Sequence, residues 1–314
     1  MTTALRSRSN ILLCFDAFGT LFRPRQSIVK QYGDIARNYG ITNFTNEDLA
    51  SSFKNAFKKE SDEHPNYGKA TNMGSQQWWT NVIEGTFSPY LSKEIPKLPP
   101  AIAPALLHRF SSKEGYEMFP DAVGYIKNLC YPKRQEVLRR HDREHEDLGE
   151  HRIVIGLITN SDDRVPDVLA SFGLRMKPLR HNGDVQHYHP TNDPADIDFA
   201  IMSYDVGYEK PDRRIFDAAT NMLRQMLFAE GHEHPDLSDW HQIYVGDELE
   251  KDALAAADAG WHGVLVDRDL EYHSGSPNAP SHDGIHAEPF ELVQGNRSVT
   301  VIQNFAGLWD ITHD

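Results

Sequence analysis

The chain has 314 residues and a formal net charge of −14, because 46 Asp and Glu residues outnumber 32 Lys and Arg residues. Such a surface repels phosphodiester backbones and anionic membranes, so we expect neither nucleic acid nor membrane as a partner. The two cysteines, Cys14 and Cys130, are too few for a disulfide framework or a thiolate metal site. The low number of cysteines predicts a reducing, intracellular location. The cytoplasm is favoured, the nucleus is an alternative and the mitochondrion is least favoured.

Four short apolar segments are predicted to be buried strands. They are residues 11–15, 153–158, 242–245 and 263–266. Runs that do not alternate apolar with polar residues are typical of a parallel sheet covered on both faces. Helical patterns follow the later strands, one beginning at Pro211 and one covering residues 251–259, which ends at Gly260. The alternation predicts an α/β fold with a doubly wound, Rossmann-like parallel sheet.

Residues 16–152 separate the first predicted strand from the second, far more than one crossover helix requires. Four helical patterns lie in this segment, at residues 26–39, 46–59, 76–84 and 101–110. Breakers such as Gly40 and the Pro99-Pro100 pair separate them. We therefore predict an all-helical domain at 23–117, inserted into a core domain made of 1–22 and 118–314. Three polar stretches are predicted to be surface excursions, at 131–151, 180–196 and 230–239.

Polar side chains follow the predicted strands at the points where the strands end. The candidates for a functional site are Asp16, Thr159, Asn160, Lys210, Asp247 and Asp252. In an open parallel sheet the carboxyl ends of the strands line the ligand crevice, so we expect these groups to converge on one edge. Lys210 precedes a predicted helix start, where its ammonium and the helix dipole both favour an anion.

This set of groups suits phosphoryl transfer. Mg²⁺ prefers hard oxygen ligands, which Asp16 and Asp247 supply together with a substrate phosphate. An aspartate can attack phosphorus and form an aspartyl-phosphate, which divides a difficult hydrolysis into two easier steps. Thr159 and Lys210 are expected to hold the phosphate oxygens while negative charge develops, and Asn160 is a further candidate for phosphate binding.

Four motifs together resemble the haloacid dehalogenase superfamily of hydrolases. In chain order they are FDAFGTLF, ITNSDD, SYDVGYEKPDRRIF and YVGDELEKDALAAADAG. By this resemblance Asp16 is the nucleophile, Thr159 the phosphate-binding hydroxyl and Lys210 the charge stabiliser. Asp247 and Asp252 are the acidic pair around Mg²⁺, with Asp252 acting from behind the direct ligands. The backbone carbonyl of Phe18 is a further metal ligand, and the helical insert lies where the family carries its C1 cap.

One position departs from the family's phosphatases, which have a second aspartate two residues after the nucleophile. That residue protonates the leaving oxygen and later activates water, whereas Phe18 has no proton to give. Loss of a general acid/base typically costs about 10² to 10⁴ in rate. An aromatic residue here is similar to the metal-independent dehalogenases of the family, yet the acids Asp247 and Asp252 are retained.

The leading hypothesis is a Mg²⁺-dependent phosphatase that acts slowly on a small phosphorylated metabolite through an aspartyl-phosphate at Asp16. Two alternatives remain open. One is a metal-independent 2-haloacid dehalogenase, which would take a small acidic metabolite. The other is a catalytically degenerate member that binds a ligand or a protein. The sequence predicts neither the substrate's identity nor an oligomeric state.

Overall fold

The structure is a computed structural model that describes residues 10–129, 152–183, 195–272 and 288–313. Cys130, the polar stretch 131–151 and residues 184–194 of the second polar stretch lie outside the described residues. The contacts divide the chain into two units. The first contains the described residues of Met1–Phe22, Met118–Asn160 and Leu174–Asp314, and the second contains those of Arg23–Glu117 and Ser161–Gly173.

The secondary structure is numbered in chain order. The strands are β1 (Asn10–Phe15), β2 (Phe22–Pro24), β3 (Tyr116–Met118), β4 (Ile153–Thr159), β5 (Phe199–Met202), β6 (Trp240–Gly246), β7 (His262–Val266), β8 (Phe290–Gln294) and β9 (Arg297–Ile302). The helices are α1 (Ile28–Asn38), α2 (Asn46–Glu63), α3 (Ser75–Phe87), α4 (Ile102–Arg109), α5 (residues 120–129), α6 (Val165–Ser171), α7 (Ser203–Val206), α8 (Arg213–Ala229), α9 (Leu254–Asp258) and α10 (Leu308–His313).

A seven-stranded sheet forms the centre of the first unit, in the order β5-β4-β1-β6-β7-β9-β8. All neighbouring strands are parallel except β8 and β9. The predicted strands correspond to β1, β4, β6 and β7, each slightly longer than predicted. The antiparallel edge was not predicted. It arises because only two residues, Gly295 and Asn296, join β8 to β9, and so short a turn forces a hairpin.

The central strand β1 is covered on both faces, as its continuous apolar run predicts. Leu12 and Cys14 belong to one apolar cluster with side chains of α8, among them Phe216. Phe15 points to the opposite layer, where its ring lies 5.4 Å from that of Phe305 and 6.5 Å from that of Tyr125 in α5. Alternate side chains of one strand thus enter two separate layers, which confirms the doubly wound α/β class.

The helix after Lys210 begins later than predicted. Pro211 is not its first residue, since Asp212 caps the helix by accepting a hydrogen bond from the backbone N–H of Arg214 at 2.9 Å. Residues 251–259 do not form one regular helix either. A π-helical turn, Leu249–Ala253, precedes α9 and contains the buried Asp252.

The second unit contains α1, α2, α3 and α4, at positions close to the four predicted helical patterns. Helix α2 begins with a capping box in which Thr45 and Asp48 satisfy each other's backbone N–H groups. Its core is aromatic: Trp78 is buried against Phe57 and Tyr67, with ring centroids 5.2 and 5.3 Å away. The indole N–H of Trp78 donates to backbone carbonyls at the end of α2.

Residues 161–173, which include α6, belong to the second unit. The sequence analysis assigned them to the core, so this segment corrects the predicted domain division. Three of its polar side chains bond to other parts of the second unit: Trp79 donates to Asp162, Ser75 donates to Asp163, and Ser171 accepts the backbone N–H of Lys113. Asp162 is buried, and a buried carboxylate is stable only where hydrogen-bond donors replace the water that it has lost.

Candidate active site

The candidate residues lie in the first unit, where the carboxyl ends of β1, β4 and β6 adjoin in the sheet. Asp16 follows β1 directly, and its backbone N–H donates to the carbonyl of Val245 in β6 at 2.9 Å. Thr159 is the last residue of β4, and Asp247 follows β6 directly. The parallel register therefore delivers these residues to a single edge of the sheet.

Lys210 is the centre of a buried ion cluster. Its Nζ lies 2.8 Å from Oδ1 of Asp16 and 2.7 Å from Oδ1 of Asp252. The exposed fraction of the side chain is 3% for Lys210, 10% for Asp16 and 1% for Asp252. The cluster joins residues 194 and 42 positions apart in the chain, so only the tertiary fold brings these charges together.

Sequence reasoning missed a third partner of Lys210. The Nζ atom donates to the phenol oxygen of Tyr244 at 2.7 Å, and the phenol in turn donates to the backbone carbonyl of Ile158, also at 2.7 Å. Strand β6 also contains the polar residues His241 and Gln242, so its pattern did not single out Tyr244, and only the chemistry of the hydroxyl indicated a polar partner. A buried tyrosine hydroxyl usually has a hydrogen-bond partner.

The side chain of Asn160 holds the backbone of Lys210. Its Oδ1 accepts the Lys210 backbone N–H at 2.7 Å, and its Nδ2 donates to the Lys210 carbonyl at 3.0 Å. In the structure the amide oxygen of Asn160 and one of its N–H groups position Lys210, and binding of phosphate by Asn160 stays a prediction.

Asp247 stands beside this cluster and is partly exposed. Thr20 donates to its Oδ1 at 2.8 Å. The backbone of Gly19 passes so close that a Cβ atom there would lie 2.0 Å from Oδ2 of Asp247, and its φ of +81° also disfavours any other residue. Glycine at this position of the first motif is therefore required by the close approach of the Asp247 carboxylate.

Burial and neighbouring charges shift the pKa values of these groups. Burial, partly opposed by Lys210 and reinforced by Asp252, raises the pKa of Asp16 to about 6. Burial and Asp252 also raise the pKa of Asp247, against the hydrogen bond from Thr20. For Lys210, burial opposes the charge, but Asp16 and Asp252 outweigh it and raise the pKa, so the ammonium stays charged.

The three carboxylates fit a divalent cation. One ligand oxygen each from Asp16, Asp247 and Asp252 lie within 4.8 Å of one another. With one ammonium the formal charge is 1 − 3 = −2, and hard oxygen donors are the ligands that Mg²⁺ prefers. Asp252 has both oxygens engaged, by Lys210 and by the backbone N–H of Glu248 at 2.9 Å. Among the hydrogen bonds of the described residues, Asp16 and Asp247 each use only one oxygen.

Two predicted residues lie outside these hydrogen bonds. Thr159 is buried. Phe15 pairs with Leu157 in the register of β1 and β4, so Thr159, two residues further on, lies level with residue 17. The ring of Phe18 packs edge-on against Phe22 at 4.8 Å between centroids. An aromatic ring packed in this way contributes no group that exchanges a proton.

Within the described ranges, the structure contains no helix both long enough and apolar enough to cross a membrane.

Comparison with known proteins adds independent findings. A model of the family described as haloacid dehalogenase-like hydrolase matches residues 12–260. The Rhythmically expressed gene 2 protein of Drosophila melanogaster is 31% identical over 265 residues, covering 83% of this chain and 85% of that protein. An uncharacterized hydrolase of Schizosaccharomyces pombe is 29% identical, covering 82% and 90%. The structure of the HAD-hydrolase YfnB of Bacillus subtilis, described as bound to magnesium, covers 98% of this chain and 100% of that chain, with a TM-score of 0.51 at 15% identity.

Proposed function

Since the chain belongs to the haloacid dehalogenase-like hydrolase family, we propose that it hydrolyses phosphate esters of small metabolites by attack of Asp16 on phosphorus. The observation that carries the proposal is the hydrogen-bonded cluster of Asp16, Lys210 and Asp252 beside the Asp247 carboxylate. Similar hydrolases and a magnesium-bound structure of the same fold support it.

The proposed reaction has two steps. The free oxygen of Asp16 attacks phosphorus, so a bond from Asp16 to phosphorus forms while the ester P–O bond breaks. The leaving oxygen takes its proton from water. A water molecule then attacks the phosphorus of the aspartyl-phosphate, which returns the carboxylate of Asp16 and releases phosphate.

The neighbouring side chains act on charge and orientation. Lys210 holds the other oxygen of Asp16 at 2.8 Å, which directs the free oxygen away from the ammonium. The same ammonium stabilises the negative charge that develops on phosphate, and the hydroxyl of Thr159 donates to a phosphate oxygen. Asn160 acts indirectly, because it holds the backbone of Lys210 in place.

Asp16 and Asp247, with the backbone carbonyl of Phe18, would hold a Mg²⁺ ion. When bound, this ion neutralises phosphate oxygens and orients them for in-line attack. Asp252 would act from behind these ligands, since its two oxygens already accept hydrogen bonds from Lys210 and Glu248.

Phe18 limits this chemistry. Without an acid two residues after Asp16, the leaving oxygen and the second-step water depend on solvent for proton transfer, which lowers the rate by about 10² to 10⁴. Replacing Phe18→Asp should therefore raise phosphatase turnover at least tenfold. Phe18→Asn is the matched control, because asparagine has nearly the shape of aspartate but no acidic proton. An equal change in both variants would show that the missing acid does not limit turnover.

The proposal is tested by measuring phosphate release from a panel of small phosphate esters with Mg²⁺. Asp16→Asn should abolish the activity, whereas Asp34→Asn, an exposed carboxylate on α1, should leave it unchanged. Beryllofluoride, which mimics a phosphorylated aspartate, should bind the wild type and not Asp16→Asn. Activity that survives in Asp16→Asn would exclude attack by this residue.

Phe18 favours a second candidate reaction, the hydrolysis of 2-haloacids. In that case an oxygen of Asp16 attacks the carbon that carries the halogen, the halide leaves with the bonding electrons, and water hydrolyses the resulting ester. This reaction needs neither an acid at position 18 nor a metal. Halide release from 2-haloacids in the presence of EDTA would establish it, and the retained Asp247 argues against it.

A further inference from the structure

We infer that Tyr244 is a positioning residue, whose phenol directs the Lys210 ammonium onto Asp16 and ties it to the strand that carries Thr159. The inference deepens the proposed function and rests on it for the kinetic part of its test. Tyr244 lies inside β6, three residues before Asp247, and its side chain is fully buried. Its ring packs edge-on against Phe216 of α8, with centroids 5.1 Å apart.

The directions of the hydrogen bonds around this phenol follow from chemistry. An ammonium has only donors, so Lys210 Nζ donates to the phenol oxygen at 2.7 Å. The phenol proton then goes to the carbonyl of Ile158 at 2.7 Å, which is much closer than the other acceptor within reach, Oδ1 of Asp252 at 3.4 Å. Tyr244 thus connects Lys210 to the residue immediately before Thr159.

The ammonium of Lys210 has three protons and three close acceptors. These are Asp16 Oδ1 at 2.8 Å, Asp252 Oδ1 at 2.7 Å and Tyr244 Oη at 2.7 Å. With each proton committed, rotation about the terminal bond of the side chain gains nothing. Removal of the phenol oxygen would leave one buried N–H and the Ile158 carbonyl without these partners, so the ammonium would be free to turn away from Asp16.

A neutral acceptor suits this position better than a fourth carboxylate. The cluster already contains Asp16, Asp247 and Asp252 against one ammonium. A phenol completes the hydrogen bonds of Lys210 without adding negative charge that would compete with a phosphate substrate. The phenol also donates a hydrogen bond to the carbonyl of Ile158, which neither a carboxylate nor a phenylalanine side chain could do.

The kinetic test compares two substitutions that each remove one buried hydroxyl from the first unit. Tyr244→Phe removes the acceptor of Lys210. Tyr125→Phe is the matched control, because its hydroxyl bonds to Thr312 at 2.9 Å and to no residue of the four motifs. We expect kcat to fall about 10- to 100-fold in Tyr244→Phe with KM little changed, and to stay within about twofold in Tyr125→Phe. Equal kcat losses in the two variants would overturn the inference.

A second measurement uses the unaltered protein and needs no activity. In protein with ¹⁵N-labelled lysine and ¹³C-labelled tyrosine, NMR should show a protected Lys210 ammonium with a nuclear Overhauser effect to the Tyr244 hydroxyl proton. Solvent exchange of that ammonium should speed up in Tyr244→Phe and not in Tyr125→Phe. Absence of the Overhauser effect overturns the inference even if Tyr244→Phe does not fold. Its presence in a protein without phosphatase activity would leave the inference standing and reject the proposed function.

Discussion

Each unit of the molecule contains a cation paired with a buried carboxylate: Lys210 is itself buried, whereas Arg164 is partly exposed, and the two are held in different ways. Lys210, in the first unit, contacts Asp16 and Asp252, which come from distant parts of the chain. Arg164, in the second unit, bonds through Nε and its backbone N–H to Asp162, two residues away, and its guanidinium lies 4.2 Å above the ring of Trp79.

The difference lies in the balance of charge. Asp16 and Asp252 contact the Lys210 ammonium and Asp247 lies beside these two carboxylates, so the cluster has negative charge in excess and provides a reason to bind a further cation. Arg164 and the hydrogen-bonded Asp162 balance each other, and Trp79 also donates to Asp162. A surplus of buried charge is costly and points to function, whereas a neutral pair points to architecture.

The largest effect should come from Lys210→Met, which keeps the length of the side chain and removes its charge. Because the buried carboxylates of Asp16 and Asp252 lose their cation, the free energy of unfolding without metal should fall by about 3 to 5 kcal/mol. Lys177→Met is the control, since its partner Asp198 also accepts the Ile155 backbone N–H. Urea unfolding should show the smaller loss in the control, and equal losses would contradict a surplus of charge at Lys210.

The next effect is a dependence of stability on pH. The pKa of Asp16 is about 6 in the folded protein and near 3.8 when unfolded, so the folded state binds the proton more tightly. Proton binding by Asp16 therefore stabilises the folded state, by on the order of 3 kcal/mol. This stabilisation is complete below pH 3.8 and is lost as the pH rises through 6. Metal-free unfolding curves between pH 4 and 7 should show it, and Asp16→Asn should remove it. A variant with the same slope as the wild type would rule out Asp16 as its source.

Arg164→Met should lower the free energy of unfolding by less, about 2 kcal/mol, because Asp162 retains its hydrogen bond from the indole N–H of Trp79. Arg214→Met is the matched control: Arg214 bonds to Asp212 through Nε, its backbone N–H and also Nη2, but is mostly exposed, so no measurable change is expected. Thermal unfolding should separate the two. If Mg²⁺ stabilised wild type and Arg164→Met by different amounts, the interpretation of a purely architectural pair would fail.

The smallest expected effect is stabilisation by Mg²⁺ itself, about 1.4 kcal/mol at ten times its dissociation constant. Asp247→Asn should remove most of it, since Asp247 has a carboxylate oxygen available for a cation. Asp258→Asn, an exposed acid paired with Arg297, is the control. Melting temperatures measured with and without Mg²⁺ test this, and an unchanged shift in Asp247→Asn would place the ion elsewhere.

The positions of Asp16 and Asp247 were predictable because each follows an apolar run that only a buried strand explains, and parallel strands end at one edge. The helices of the second unit were predictable from apolar periodicity and breakers. Tyr244 was not, because within a strand its pattern is that of any large core residue. The hydrogen-bond partners of Asn160 and Asp162 were not predictable either. Both side chains are polar, and nothing local indicates whether Lys210, Trp79 or solvent is the partner.

The amino-acid sequence by itself determined the α/β class, the helical insert and the set of charged residues, since these depend on local periodicity and on residue chemistry. Only the tertiary structure decided which acceptors the protons of Lys210 meet, that Asp252 has no free oxygen, and that residues 161–173 join the helical unit. Hydrogen bonds act over about 3 Å, and in this site they join residues as many as 227 positions apart, a relation that local pattern does not encode.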